Sequence, residues 1–298
     1  MHPPSSGHNG GMDLGLRDRV YLVTGGSRGL GFAAASELVA DGARVLVSAP
    51  HEATAAAAVA RLTQHATRAD AAAWIVANNA DPAAPGQLIA AARERFGRLD
   101  GALISVGGSP PGTMATTTDE AWRAAFESVF LGAVRLARVL AADLSGRGDA
   151  SADARSVTSA DSSSVTGADA RSVTGAGGSI VFVLASSVRV PLADLAISNG
   201  LFPGLAGVVK TLAGELGPAG VRINGVLPVR IATDRVRELD ALRGDPDEVR
   251  ARLSQRIPLR RYGEPEEFGR VAAFLLSPAA SYMTGAMIPV DGGAISSI

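Results

Sequence analysis

Few residues in this chain have the type and spacing to do chemistry, and the densest group lies near its start. Glycines at 25, 26, 29 and 31 follow the apolar run Val20 to Val23 and precede good helix formers from Ala33 to Ala40. In a strand, glycine turn and helix N-terminus, bare backbone N–H groups and the helix dipole both favour negative charge. The stretch therefore reads as an anion site for the pyrophosphate of a dinucleotide. Its spacing is Gly-x-x-x-Gly-x-Gly over 25, 29 and 31, not the commoner Gly-x-Gly-x-x-Gly. Thr24, Gly25, Ser27, Arg28, Gly29, Leu30 and Gly31 are its candidate cofactor-binding residues. Elsewhere the inventory is thin. There is no cysteine, which excludes disulfides, thiolate catalysis and cysteine metal sites, and no metal site is expected. Lysine and arginine total 28, but Lys210 is the single lysine; the tyrosines are 21, 262 and 282, and the histidines 2, 8, 51 and 65.

The elements that must position these groups follow from the apolar pattern. Strands are expected at Val20 to Val23, Ala43 to Ser48, Ala72 to Ala77, Gly101 to Val106, Ser179 to Ala185, Val221 to Val226 and Ile288 to Val290. Helices are expected between them, among them Glu52 to Gln64, Pro85 to Phe96, a long one from Asp119 to about Leu144, and Glu264 to Pro278. Such alternation predicts an α/β fold of one domain, a doubly wound parallel sheet of seven strands with helices on both faces. Leu201, Leu205, Val208, Leu212 and Leu216 repeat at helical spacing, although Pro203 is expected to kink that helix or delay its start. Residues 231 to 257 read as polar and helical, positioned to cover a substrate.

Two segments stand apart. Residues 1–11 are rich in chain breakers and expected to be a disordered tail, with Met12 as an alternative start. Between Ser145 and Gly178 the sequence is mostly Ser, Ala, Asp, Gly and Thr, with Ser-Val-Thr recurring at 156, 164 and 172. One valine per unit builds no core, so 145–178 reads as a flexible low-complexity insertion, a small β-arm being the alternative. It joins a helix end to a strand start, on the edge of the sheet away from a ligand crevice. A net charge of −1 gives no reason to expect nucleic acid or an anionic membrane, and no apolar run approaches a membrane span. No signal peptide is read at the start, and a cytoplasmic protein is expected.

Thr24-Gly25-x-x-x-Gly29-x-Gly31, Phe96-Gly97-x-Leu99-Asp100, Asn224-Gly225-Val226-x-Pro228, Gly263-Glu264-Pro265-Glu266-Glu267 and Val290-Asp291-Gly292-Gly293 occur in this order. On these the chain resembles the short-chain dehydrogenase/reductase family, from Met12 onward and apart from the insertion, and is most similar to its ketoacyl-reductase-like members. The resemblance implies a Rossmann-type fold, a nicotinamide cofactor, a small-molecule substrate and a homo-oligomer, a tetramer or a dimer, built on two long helices. Gly107-Gly108-Ser109-Pro110-Pro111-Gly112 is similar to a branch that carries Gly-Gly-Pro-Pro-Pro-Gly there. Ala49 stands where NAD-preferring members carry an Asp, so nothing repels a 2′-phosphate. Arg28, with His51 nearby, can pair with it unless it is simply a solvated surface arginine. NADP(H) is therefore the expected cofactor, although Pro50 takes the place of a second arginine. By the same resemblance Asn78, Gly107, Pro228 and Thr233 complete the cofactor site, with Asn78 in place of an Asp near the adenine.

The departures bear on activity. The family uses a Tyr as acid or base, a Lys four residues later that lowers its pKa, a Ser on the preceding strand and an Asn on the long helix. Counting back from Gly207 and Glu215 puts Ser198 at the Tyr position and Phe202 at the Lys position, with Val129 at the Asn position; Ser187 alone matches. Lys210, eight residues beyond Phe202, is about 12 Å up the helix and cannot substitute. Ser186, Ser187, Arg189, Asp194, Ser198, Asn199 and Thr233 remain near the expected nicotinamide, with Ser187, Ser198, Asn199 and Asp194 as catalytic candidates. For Asp194 a helix N-cap is the commoner role. Val229 replaces a family glycine and crowds the same side. One reading is an atypical NADP(H)-dependent oxidoreductase of an apolar ketone or alcohol. The alternative is a non-redox member, a cyclase, dehydratase or isomerase, or an inactive cofactor-binding partner subunit.

Overall fold

The computed structural model describes residues 13–64, 66, 68–146 and 177–297. The tail expected at 1–11 lies outside the described residues, as does the insertion expected at 145–178 except for its first two and last two residues. The first half of the fold is β1 (Val20–Thr24), α1 (Gly29–Ala40), β2 (Arg44–Ala49), α2 (Glu52–Thr63), β3 (Ala72–Val76), α3 (Ala84–Phe96) and β4 (Gly101–Ser105). Every residue of β1 is buried, as an apolar run covered by helices on both faces must be. The helix α3 stops at Gly97, whose φ of 78° is the left-handed cap that glycine adopts without a steric penalty.

The second half continues with α4 (Asp119–Ala125), a π-helical turn over Phe126–Leu131, and α5 (Gly132–Leu144). After β5 (Ser179–Val183) come a short 3-10 turn at Ser186–Val188 and α6 (Ala196–Leu216). Then follow β6 (Arg222–Pro228), α7 (Asp234–Ala241), α8 (Pro246–Ser254), α9 (Pro265–Leu276) and β7 (Met287–Val290). The seven strands form one sheet in the order β3-β2-β1-β4-β5-β6-β7. All six pairings are parallel, with Leu22 facing Leu46 on one side and Ala102 on the other. The chain winds outward from β1, returns, and winds out again from β4, so a crevice opens at the carboxyl ends of these two strands.

Each face of the sheet has its own core. On one side Leu88, Leu136, Leu140, Leu205 and Val209 from α3, α5 and α6 pack on Ile104 and Phe182. On the other, Leu38, Val39, Phe268 and Leu275 from α1 and α9 pack on Val23, Val47 and Val181. Helix α6 corrects one expectation: it begins at Ala196 and runs unbroken through Pro203. The proline deprives Asn199 of one helical donor, but Leu201, Phe202 and Leu205 are buried on either side of it and hold the turn to the sheet. The long helix differs too, because the π-helical turn interrupts its register and carries Val129. Such turns concentrate at functional sites.

The described ends of the insertion sit at the amino end of β5. A Cβ on Gly178 would press into the Leu144 side chain at 2.6 Å, and one on Gly177 would collide with the Gly220 carbonyl. The segment thus leaves and rejoins the fold away from the crevice.

Candidate functional site

The glycine loop leaves no room for a side chain at Gly26 and Gly31. Gly25 and Gly29 have φ of 59° and 55°, conformations open mainly to glycine. A Cβ on Gly31 would collide with the Gly25 carbonyl, and one on Gly26 would lie 3.0 Å from the Val23 side chain. The turn is pinned from below by Thr24, whose buried hydroxyl donates to the Ser105 carbonyl at 3.0 Å and accepts from the Ser105 amide at 2.9 Å. That hydroxyl is spent on joining β1 to β4, so Thr24 shapes the loop without facing a ligand. Arg28 lies at the start of α1, exposed, and Ala49 closes β2 with no carboxylate. His51 is the residue before α2, and Asn78 follows β3, its side-chain oxygen accepting from the Ala80 amide at 3.0 Å. A dinucleotide fits this cradle: bare backbone N–H groups would hold its pyrophosphate, and Arg28 would offer a cation to its adenosine end.

On the opposite side of the crevice Gly107, φ 77°, begins the loop after β4, with open space where a Cβ would be. Thr233 caps α7, accepting from the Val236 amide, and its methyl lies 3.8 Å from the place of a Cβ on Gly29. Pro228 ends β6, and the next residue, Val229, donates its amide to Val290. The cofactor candidates therefore converge on one end of the sheet.

The loops after β4 and β5 are stitched together. The Gly112 amide donates to the Asp194 carbonyl at 2.7 Å, and the Ala196 amide donates to the Gly112 carbonyl at 3.0 Å. Asp194 does not cap α6: the cap position is Leu195, with no side-chain bond. Asp194 has φ 60°, and its carboxylate turns outward to within 3.7 Å of the Arg243 guanidinium. Asn199 bridges back to Leu192, accepting from its amide and donating to its carbonyl, both at 2.8 Å. Its side chain fixes the loop ahead of the helix. Ser187 is buried and donates to the Ser198 carbonyl at 3.2 Å. The Ser198 hydroxyl lies 2.8 Å from that of Ser109, also buried. Ser109 is a residue that sequence reasoning passed over; its signal was a hydroxyl within a glycine and proline loop. Arg235 was passed over as well. It reaches from α7 across Gly108 and donates to the Ser109 carbonyl at 2.9 Å.

No tyrosine reaches these serines. Tyr21 is buried under α9 and donates to the Leu276 carbonyl, and burial raises its pKa above the ordinary phenol value. Tyr262 donates to Asp240 at 2.9 Å beneath α7, and burial, the largest cause, pushes its phenol up to about 12. Tyr282 is fully exposed. Lys210 donates to the Gly285 carbonyl beside β7. Phe202 and Val129 are both buried in the core on the α3, α5 and α6 side. Asp240, 2% exposed, also accepts from Arg230 at 2.6 Å, which ties α7 down over the crevice.

Residues 19–152 match the family model described as short chain dehydrogenase, and residues 152–294 the one described as Enoyl-(Acyl carrier protein) reductase. A 3-oxoacyl-[acyl-carrier-protein] reductase of Synechocystis sp. is 32% identical over 286 residues, 94% of this chain and 98% of its own length. An L-rhamnose 1-dehydrogenase (NAD(P)(+)) of Azotobacter vinelandii is 31% identical over 280 residues, 93% of this chain and 97% of its own. Among solved structures, L-sorbose reductase from Gluconobacter frateurii, complexed with NADPH and L-sorbose, superposes with a TM-score of 0.80 at 25% identity. That similarity covers 96% of this chain and 100% of the other. Among the described residues, no helix is long and apolar enough to cross a membrane.

Proposed function

The chain belongs to the short-chain dehydrogenase/reductase family, and from that premise we propose that it is an NADP(H)-dependent oxidoreductase of an apolar ketone or its alcohol, working without the family's usual tyrosine and lysine. One observation carries the cofactor assignment. The exposed Arg28 beside the side-chain-free glycine loop, with Ala49 at the end of β2, offers a 2′-phosphate a cation and no opposing carboxylate. Gly25, Ser27, Gly29, Leu30 and Gly31 would hold the pyrophosphate, Asn78 the adenine end, and Gly107, Pro228 and Thr233 the nicotinamide end. Relatives named for NADPH or NAD(P)(+) support a nicotinamide cofactor.

When bound, the cofactor supplies or accepts a hydride at the substrate carbon. The chain must then manage the oxygen. Ser198, at the start of α6, is the group proposed to hold it, with Ser187, whose hydroxyl donates to the Ser198 carbonyl, and Asn199 and Asp194 setting the loop that closes on it. A missing positioned acid costs about 10²- to 10⁴-fold, so turnover is expected to be slow. The small-molecule substrate enters under α7. A cytoplasmic homo-oligomer, tetramer or dimer, is part of the same proposal; the half-exposed Phe126, stacked on Phe130 at 5.2 Å along the long helix, supports it.

A second reading has its own support. Phe202 and Val129 fill the Lys and Asn positions with buried apolar groups, which favours a non-redox member or a cofactor-binding partner subunit. One experiment separates the two. NADPH and NADH are titrated by fluorescence, and NADPH consumption is followed with cyclohexanone, a 3-oxoacyl thioester and L-sorbose. The expected result is tighter binding of NADPH and slow consumption with the apolar ketone. Equal affinities overturn the NADP(H) assignment; tight binding without consumption of NADPH by any ketone overturns the redox assignment in favour of the second reading.

A further inference from the structure

The three serines of the site differ in what they can still donate. A hydroxyl has one proton. Ser187 places its proton on the Ser198 carbonyl at 3.2 Å, so it is committed to the backbone. The hydroxyls of Ser109 and Ser198 are 2.8 Å apart, 3% and 6% exposed, and neither has another hydrogen-bond partner among the described residues. One proton is used between them. The other has no acceptor among the described residues, and a buried donor without an acceptor is costly. An oxygen of a ligand would complete the pair.

The pair is also held in place. Ser109 lies in the loop after β4, 89 residues from Ser198, and its carbonyl accepts from Arg235, which is 126 residues away on α7. The guanidinium crosses over Gly108, where a Cβ would stand only 3.0 Å from its Nε. Arg235 therefore fixes the Ser109 peptide by passing close over Gly108.

We infer that Ser109 is a catalytic residue: with Ser198 it forms a hydroxyl pair that donates its uncommitted proton to the substrate carbonyl oxygen, and Arg235 is its positioning residue. The inference rests on the redox reading above. In the reduction, the carbonyl carbon takes a hydride with its two electrons from NADPH, and the C=O π bond breaks onto oxygen. The oxygen takes the proton of the donating hydroxyl, that serine regains one from its partner, and the partner is reprotonated by solvent. One ketone, one NADPH and one solvent proton give one alcohol and one NADP⁺.

The test uses the full chain with Ser109→Ala, Ser198→Ala, Ser187→Ala and the Ser109→Ala/Ser198→Ala double variant. Three quantities are measured: NADPH consumption with the ketones named above, NADPH affinity, and calorimetric binding of cyclohexanone to the NADP⁺-loaded protein, which cannot turn over. Ser109→Ala and Ser198→Ala are each expected to lower kcat about 10-fold and to weaken cyclohexanone binding about 3- to 10-fold, as loss of one hydrogen bond does. The double variant should lose little more than the worse single one, and Ser187→Ala less than Ser109→Ala. NADPH affinity and the thermal midpoint should hold. Undiminished kcat and ketone binding in Ser109→Ala overturn the role of Ser109 alone. An unmodified protein that binds NADPH yet consumes none with any ketone overturns both the redox reading and this one.

Discussion

Gly31 shows how one hydrogen atom can decide a site. A methyl group there would collide with the Gly25 carbonyl, and backbone has no soft way to yield. Gly31→Ala is expected to abolish measurable NADPH binding and to lower stability by about 1–3 kcal/mol, readable by titration and urea unfolding. Arg28 acts through charge instead. Arg28→Ala should cost about 1–2 kcal/mol of NADPH affinity, roughly 5- to 30-fold, and leave NADH nearly unaffected. A parallel loss for both cofactors would mean that Arg28 does not meet the 2′-phosphate. The glycines could be read in the sequence because their demand is local, imposed by backbone conformation within a few residues. Ser109 could not be, because its meaning depends on Ser198 and Arg235, brought to its loop by α6 and α7. Asp194 misled for the same reason: beside a helix start it looks like a cap, but the bond from Gly112 sets its backbone at φ 60° and turns the carboxylate away.

At the scale of elements, the lid helices depend on a few polar joints. Asp240 under α7 is buried and receives both Arg230 and Tyr262. Tyr262→Phe leaves one carboxylate oxygen short of a donor and should destabilise by about 1–3 kcal/mol, with faster amide exchange along α7. Helix α9 begins with a reciprocal capping box between Glu264 and Glu267, and Arg261 grips the Glu267 carboxylate with two bonds of 2.7 Å. The arginine, as the largest cause, holds that carboxyl down to about 2 from its usual 4.5. A carboxyl depressed in the folded state binds fewer protons there than in the unfolded chain. Its stabilisation is therefore complete above pH 4.5 and lost as pH falls towards 2. Glu267→Gln should flatten the acid limb of the unfolding midpoint between about pH 5 and pH 3, and the effect should shrink in high salt because the pair is exposed. Gly263-Glu264-Pro265-Glu266-Glu267 was legible in the sequence only as a motif of the family, not as a cap. The π-helical turn at Phe126–Leu131 was not, since one extra residue in a helix leaves no mark in composition and shows only in packing.

For the molecule as a whole, strand alternation predicted the winding because each βαβ unit must bury both faces of a parallel sheet. The joining of the two windings needed the structure. Arg222, at the start of β6, donates to the carbonyls of Leu275, Leu276, Ser277 and Met283, at 3.0, 3.5, 2.9 and 3.3 Å, and so closes the end of α9 onto the sheet. Arg222→Met removes a guanidinium that satisfies four carbonyls and should cost about 2–3 kcal/mol in urea unfolding. A change below about 0.5 kcal/mol would show that water replaces it freely. The base of β5 has a different consequence. Helix α5 ends at Leu144 and β5 begins at Ser179, and a Cβ on Gly178 would stand 2.6 Å from the Leu144 side chain. Departure and return points so close together make this a natural port for carrying cargo: a fluorescent domain spliced there, or a protein expressed as two complementing fragments divided there, should retain its NADPH affinity within about twofold.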